Sequence, residues 1–356
     1  MRIKNIIGIV CLIIFGISID STLAQDVGFT QFYASPLFIN PAMAGSFNGS
    51  YRVGILYRDQ YRSALDRPFK TFTASGDVKF NLSSVKEKNP DLFALGIMFY
   101  SDRVGIFDLN TTSIAVSGAF HKSLNKKKNQ YLSGGIQFNL THKSLNFEDL
   151  YFQDQFNAID GYTLSTGEFL PVNNFGFGNL ALGLNHSITP NKRTSISVGI
   201  AVFNLLNQNI SFYEKQDIPN PNVNLDVFLK SKLVVNAAAS FQTADYVYLD
   251  PRLLYAQQGD IKFLTLINLF KYKLPRSEGK TIYAGPGLKF TDNISNFGLE
   301  SVVLSAGFEY KGLLIGLSYD HNTNSIIAGR KGLNSFEFSI IYLGDYENND
   351  AFCPTF

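Results

Sequence analysis

The sequence predicts an all-β chain, a transmembrane outer-membrane β-barrel of about 14 antiparallel strands preceded by a cleaved signal peptide. Three observations predict it. The chain opens on an export leader, its body alternates apolar and polar residues with period two, and no later apolar run is long enough for a membrane helix. Composition sets the frame. Of 356 residues, 45% are hydrophobic and 17% charged, against roughly 25% charged in soluble domains. That excludes a disordered chain, which needs low hydrophobicity and high charge. Two cysteines exclude a disulfide scaffold, and a formal net charge of +2 gives no electrostatic case for a nucleic-acid partner.

The leader comes first. Arg2 and Lys4 precede an apolar run from Ile6 to Ile19, and Ser21-Thr22-Leu23-Ala24 supplies a small residue for cleavage. The run is too short to span a bilayer as a helix. A lipoprotein leader acylated at Cys11 would need more apolar residues before that cysteine. Residues 1–24 are thus expected to be a signal peptide, leaving Cys353 as the sole cysteine of the mature chain.

Residues 25–50 form the next unit, a periplasmic or plug segment. Pro36 and Pro41 forbid a regular helix across it. Its aromatic and aliphatic side chains would be costly to leave in water. It is expected to pack into the barrel mouth or against a partner.

Strands follow from 51 to 343. In 71–81, Phe72, Ala74, Gly76, Val78 and Phe80 fall on one face and Thr71, Thr73, Ser75, Asp77 and Lys79 on the other. In 111–121, Ile114, Val116 and Phe120 oppose Ser113, Ala115 and Ser117; in 130–141, Leu132, Ile136 and Phe138 oppose Ser133, Gln137 and Asn139. Similar alternation gives strands at 51–58, 92–100, 175–188, 194–204, 231–242, 246–256, 260–271, 280–290, 298–310, 312–321 and 335–343. Runs of about ten residues suit a tilted bilayer crossing, whereas soluble strands average about five or six. The second face is rich in Ser, Gly, Asn, Gln and Thr with few charges, as a polar barrel interior requires. Pro286, flanked by Gly285 and Gly287, predicts a bulge; Pro251 sits in a strand without such help. With both termini on the inner side, the two longest connections, 142–174 and 205–230, fall together outside, and the Lys126-Lys127-Lys128 turn falls inside. Residues 344–356 are left as a tail.

Motifs for chemistry are sparse. His121, His142, His186 and His321 have no second ligand at metal spacing and read as rim- or solvent-facing side chains. Asp320-His321 lacks a nucleophile elbow. Gly176-Phe177-Gly178 lacks the rest of a dinucleotide loop. Glu148, Asp149, Asp154 and Asp160 lack calcium-loop spacing. The expectation is a non-catalytic protein with no cofactor and no metal.

The segment from Thr30 to Ser46 resembles the mature N-terminus of the PorP/SprF family of type IX secretion membrane proteins of Bacteroidetes. Pro36-Leu37-Phe38-Ile39-Asn40-Pro41-Ala42-x-Ala44-Gly45 is similar to that family's N-P-L-x-x-N-P-A-x-x-G signature, with Ser35 in place of the first Asn. Tyr151-Phe152-Gln153-Asp154-Gln155 fits its aromatic, Gln-rich loop. Cys353-Pro354-Thr355-Phe356 resembles the C-P-x-F ending of its gliding-type members. The resemblance implies an outer-membrane barrel that assists export and surface attachment of a partner adhesin. The implied partners are that adhesin, the type IX translocon with its periplasmic and outer-membrane components, and outer-membrane lipid. It directs attention to Phe32, Pro36, Asn40, Pro41, Ala42, Gly45, Cys353, Pro354 and Phe356 as partner-binding residues. A passive channel for small solutes is the alternative that the residues themselves leave open, because fourteen strands can enclose either a filled or an open interior.

Overall fold

The structure is a computed structural model. It describes residues 28–345 except 82–90, 106–107, 126–128, 148–149, 169, 214–225, 276–278, 293–296 and 324–332. The expected signal peptide, the Lys126–Lys128 turn, Glu148, Asp149, and the tail with Cys353, Pro354 and Phe356 lie outside the described residues.

Long alternating strands dominate the chain: β1 (Tyr51–Gln60), β2 (Phe69–Asn81), β3 (Leu92–Val104), β4 (Leu109–Ser123), β5 (Gln130–Ser144), then a small hairpin of β6 (Phe156–Asn157) and β7 (Gly161–Tyr162). There follow β8 (Asn174–Asn191), β9 (Thr194–Phe203), β10 (Lys232–Ala244), β11 (Val247–Gln258), β12 (Ile261–Lys273), β13 (Thr281–Asp292), β14 (Phe297–Tyr310), β15 (Leu313–Asn322) and β16 (Ser335–Gly344). All but β6 and β7 join one closed barrel of antiparallel neighbours, and β1 seals it against β16 from Tyr51↔Gly344 to Gln60↔Ser335. Closure leaves no unpaired edge, which is the condition for strands to cross lipid. No described helix is long and apolar enough to cross a membrane.

The fourteen barrel strands coincide with the fourteen expected segments, most running a few residues further at one or both ends. Their faces also fall as a barrel requires. Val116 and Ile136 are 54% and 53% exposed on the outside, while Ser117 and Gln137 beside them are 0% and 4% exposed inside. The polar face is the buried one, the reverse of a soluble sheet.

Both awkward prolines are accommodated in the same way. At Pro251 the β10–β11 ladder lapses between Ala238↔Arg252 and Phe241↔Leu249, while pairing to β12 continues through Pro251↔Asn268. At Pro286 the β12–β13 ladder lapses between Ile267↔Gly287 and Phe270↔Ala284, while pairing to β14 continues through Pro286↔Leu304. Each missing N–H costs one side of the ladder only. The bulge expected at Pro286 is therefore absent there; the register shift in β13 falls between Lys289 and Phe290.

Connections 145–173 and 204–231 lie at the same end, opposite Tyr51 and Gly344. We call that the outer end. At this end a side-chain hydrogen bond from Arg103 holds the Asp108 carboxyl below its usual range.

Candidate functional site

The lumen is not empty. Residues 28–47 run through it from the outer end to the inner end before the chain enters β1. Gly28 O accepts from Arg58 and from Lys289 Nζ at 3.3 Å, both near the outer ends of their strands. At the other extreme, Gly45 N donates to Asp77 Oδ2 at 2.7 Å and Phe47 O accepts from Lys79 Nζ at 2.6 Å, near the inner end of β2.

The segment is built as three single turns. Phe32–Ala34 and Pro41–Met43 are 3₁₀ turns, and α1 (Pro36–Ile39) is one turn of α-helix. Each proline opens a turn, where its missing N–H has no intrahelical partner to lose. Asn40 then caps the third turn, accepting from Ala42 N at 2.9 Å. Nearly every side chain is buried: Phe29, Leu37, Asn40, Ala42 and Ala44 are at most 1% exposed. Phe38 sits against Phe29 edge-on at 5.3 Å and stacks on Tyr100 at 5.4 Å.

Three clamps hold it. At the outer end the Glu337 carboxylate accepts from Thr30 N at 2.8 Å and Gln31 N at 2.7 Å. Gln31 Nε2 reaches Glu337 O at 3.1 Å and Ser339 Oγ donates to Gln31 Oε1 at 2.7 Å. Arg58 pairs with Glu337 at 3.5 Å, and Lys289 with Asp320 at 3.3 Å, so the buried acids are matched by buried bases. In the middle, Asn40 Nδ2 donates to Leu184 O at 3.0 Å and approaches Ile200 O at 3.4 Å and Asn236 Oδ1 at 3.3 Å. At the inner end Arg52 grips Asp77 with two parallel bonds of 2.8 and 2.7 Å, while Asp77 also holds Gly45 N. His121 joins this clamp, with Nε2 2.7 Å from Ala44 O and Nδ1 2.6 Å from Ser133 Oγ.

The wall is shaped for the segment. Ala94, Ala119, Gly135, Gly183 and Ala201 pair successively across β3, β4, β5, β8 and β9, leaving a shallow lane. A Cβ on Gly183 would lie 2.0 Å from Asn40 Oδ1, and one on Gly135 would lie 2.4 Å from Ala42 N. Gly45 has φ +72°, and its Cβ would also strike Ala94.

This arrangement locates the residues singled out from sequence. Phe32, Pro36, Asn40, Pro41, Ala42 and Gly45 come together inside the barrel, buried against its wall. His121 is not rim-facing as expected but fully buried, because the plug covers it. Asp320 belongs to the outer clamp, whereas His321 points to the other face and is exposed, so the two do not form a relay. No group of three or more His, Cys, Asp or Glu suited to a metal occurs among the described residues.

The sequence reading of the lumen face as poor in charge needs correction. Arg52, Arg58, Lys79, Lys232, Arg252 and Lys289 are buried, and so are Asp59, Asp77, Asp102, Asp250, Asp320 and Glu337. These charges are scattered over eight of the fourteen barrel strands, three in β1 and one or two in each of the others, and only closure gathers them. A second group joins Asp250 to Lys271 at 3.0 Å and to Arg252 at 3.7 Å, and Arg252 lies 4.6 Å over the Tyr33 ring of the plug.

Comparison with solved structures finds barrels of outer membranes. A deltaS2 mutant of the TodX monoaromatic hydrocarbon channel aligns with TM-score 0.50 and 10% identity, over 88% of this chain and 94% of that chain. A Pseudomonas aeruginosa FadL homologue aligns with TM-score 0.49 and 13% identity, over 87% of this chain and 94% of that one. At 10% identity the TodX alignment speaks to the fold alone. Comparison with curated proteins returns no significant match. The model of one family, described as type IX secretion system membrane protein PorP/SprF, matches residues 21–342. That match takes in the plug and nearly all of the barrel, and on it the chain belongs to the PorP/SprF family of type IX secretion system membrane proteins.

Proposed function

We propose that the protein resides in the outer membrane and serves type IX secretion as a non-catalytic assembly module, assisting export and surface attachment of a partner adhesin. The observation that carries this reading is the filled lumen. A plug clamped at both ends and in the middle occupies the path that a passive solute channel needs, while outer loops and wall remain available to a protein partner. Phe32, Pro36, Asn40, Pro41, Ala42 and Gly45 contribute by seating the plug, and Cys353, Pro354 and Phe356 by contact with the machinery.

Two measurements on one preparation test this. Affinity capture from native outer membranes, followed by mass spectrometry, is expected to recover an exported surface protein with type IX components. Planar-bilayer recording of the purified barrel is expected to give no steady large current. A stable open current without any captured secretion component would instead make the protein a solute channel.

A further inference from the structure

Towards the inner end, the outward face of the barrel passes from aliphatic side chains to tyrosines: Val53 gives way to Tyr51 and Ile340 to Tyr342, whose rings lie 6.1 Å apart. Tyr310, the last residue of β14, belongs to the same belt, with Phe308 on its own face 6.4 Å away. Such belts mark the headgroup level of a bilayer. Two ammonium groups are brought to this one ring. Lys280 Nζ stands 5.2 Å from its centre and Lys311 Nζ 5.3 Å. Like charges gathered in this way repel each other, and an anion beside them offsets that repulsion. The adjoining acid does not supply it, because Glu309 turns to the lumen face, where it reaches Lys271 at 3.8 Å. Lys280 makes no ion pair among the described residues.

The rest of that rim leans the same way. Lys122, Lys192, Arg193 and Lys273 stand there against Asp91, Asp245 and Asp345 among the described residues, and Lys122 already holds Asp91 at 2.7 Å. The place of the ring selects the anion. Tyr310 faces the bilayer, and Ile282 and Phe308, paired across β13 and β14, continue its face towards mid-membrane. A ligand here sets a negative group on the lysines and apolar carbon on the wall below, which is the build of a phospholipid. A zwitterionic headgroup brings an ammonium of its own beside Lys280 and Lys311, whereas a headgroup of net negative charge does not. We infer that Lys280, Tyr310 and Lys311 form a binding site for an anionic phospholipid, its phosphate on the two ammonium groups and an acyl chain along Ile282 and Phe308. Such a site needs only a barrel seated in a bilayer, whatever that barrel exports.

The site is tested on the purified full-length barrel in phosphatidylcholine nanodiscs. Traces of photoactivatable phosphatidylglycerol or phosphatidylcholine are added, with the reactive group at the same acyl position in both, and mass spectrometry locates the cross-links. Phosphatidylglycerol is expected to label β13 and β14 around Ile282 and Phe308 at least about fivefold more than phosphatidylcholine does. That preference is expected to disappear in Lys280→Gln with Lys311→Gln. It is expected to persist in Lys192→Gln with Arg193→Gln, which lowers the charge of the same rim equally but away from the ring. Heat-modifiable migration reports whether each barrel forms. Where the first pair does not form, Lys280→Gln alone takes its place, with a smaller fall expected. Inorganic phosphate and polyglutamate are added as competitors, and the labelling is expected to withstand both. Equal labelling by the two lipids, a preference unchanged in a folded variant, or one lost equally in the control pair would overturn the site. So would displacement by phosphate, which would make it a site for a free anion, or by polyglutamate, which would make it a docking face for an acidic protein.

Discussion

Asn40 has no exposed surface, and its amide is shared among two strand carbonyls and a second asparagine. Asn40→Ala removes this and leaves the buried Asn236 amide without that partner. A loss of about 1–3 kcal/mol is expected, read as a lower urea midpoint of the folded barrel. Arg52 and Asp77 are 7% and 1% exposed at the side chain, so removing one charge strands the other. Arg52→Ala is therefore expected to cost about 3–5 kcal/mol, and Arg52→Met with Asp77→Leu substantially less. Equal losses in the single and double variants, in the same urea titration, would show that the pair is not the inner clamp. Neither pair was legible in the sequence. Asn40 stood out only as part of a proline-bounded motif, because its partners lie 144, 160 and 196 residues away. His121 was misplaced for the same reason: its exposure depends on a carbonyl 77 residues earlier in the chain.

At the scale of elements, the strands were legible because one side of each meets lipid and the other meets the lumen, and a pleated strand turns that contrast into a two-residue period. Their ends were less so, since a strand can continue beyond the bilayer without an apolar partner face. The plug's conformation was half legible. Its prolines announced broken turns, but nothing local announced that the wall had been cleared for it. The contrast between faces predicts that Val116→Arg costs about 2–4 kcal/mol at mid-membrane and sharply lowers the heat-modifiable fraction. Asn139→Arg, which enters the lumen, is expected to leave that fraction near wild type. The cleared lane makes a separate prediction. Gly183→Val puts a side chain where Asn40 sits, so the barrel is expected to form with its plug displaced. Bilayer recording would then show openings that the wild type lacks, and a silent variant would mean the plug is not held by that lane.

For the molecule as a whole, the buried charges balance, six basic against six acidic among the described residues, so the lumen presents no standing field of one sign. Such a balance suits a lumen occupied by a segment of its own chain. Orientation follows from connection length, with short turns inside and long loops outside. In a Cys353→Ser background, Asp160→Cys and Leu206→Cys are expected to react with an impermeant maleimide on intact cells, and Arg193→Cys only after the outer membrane is opened. The reverse pattern would turn the barrel over.

The outer clamp ties Thr30 and Gln31 to Glu337 and Ser339, across more than 300 residues of chain. It also lies beside the seam where β1 meets β16. Until the last strand arrives, Arg58 lacks Glu337, the backbone N–H groups of Thr30 and Gln31 lack the carboxylate that accepts from them, and the first strand has no neighbour on that side. One late event supplies all three. A chain truncated before Ser335 would expose an open edge and a less firmly held plug together. The same final strand thus completes both the closing seam of the barrel and the outer seat of the segment inside it.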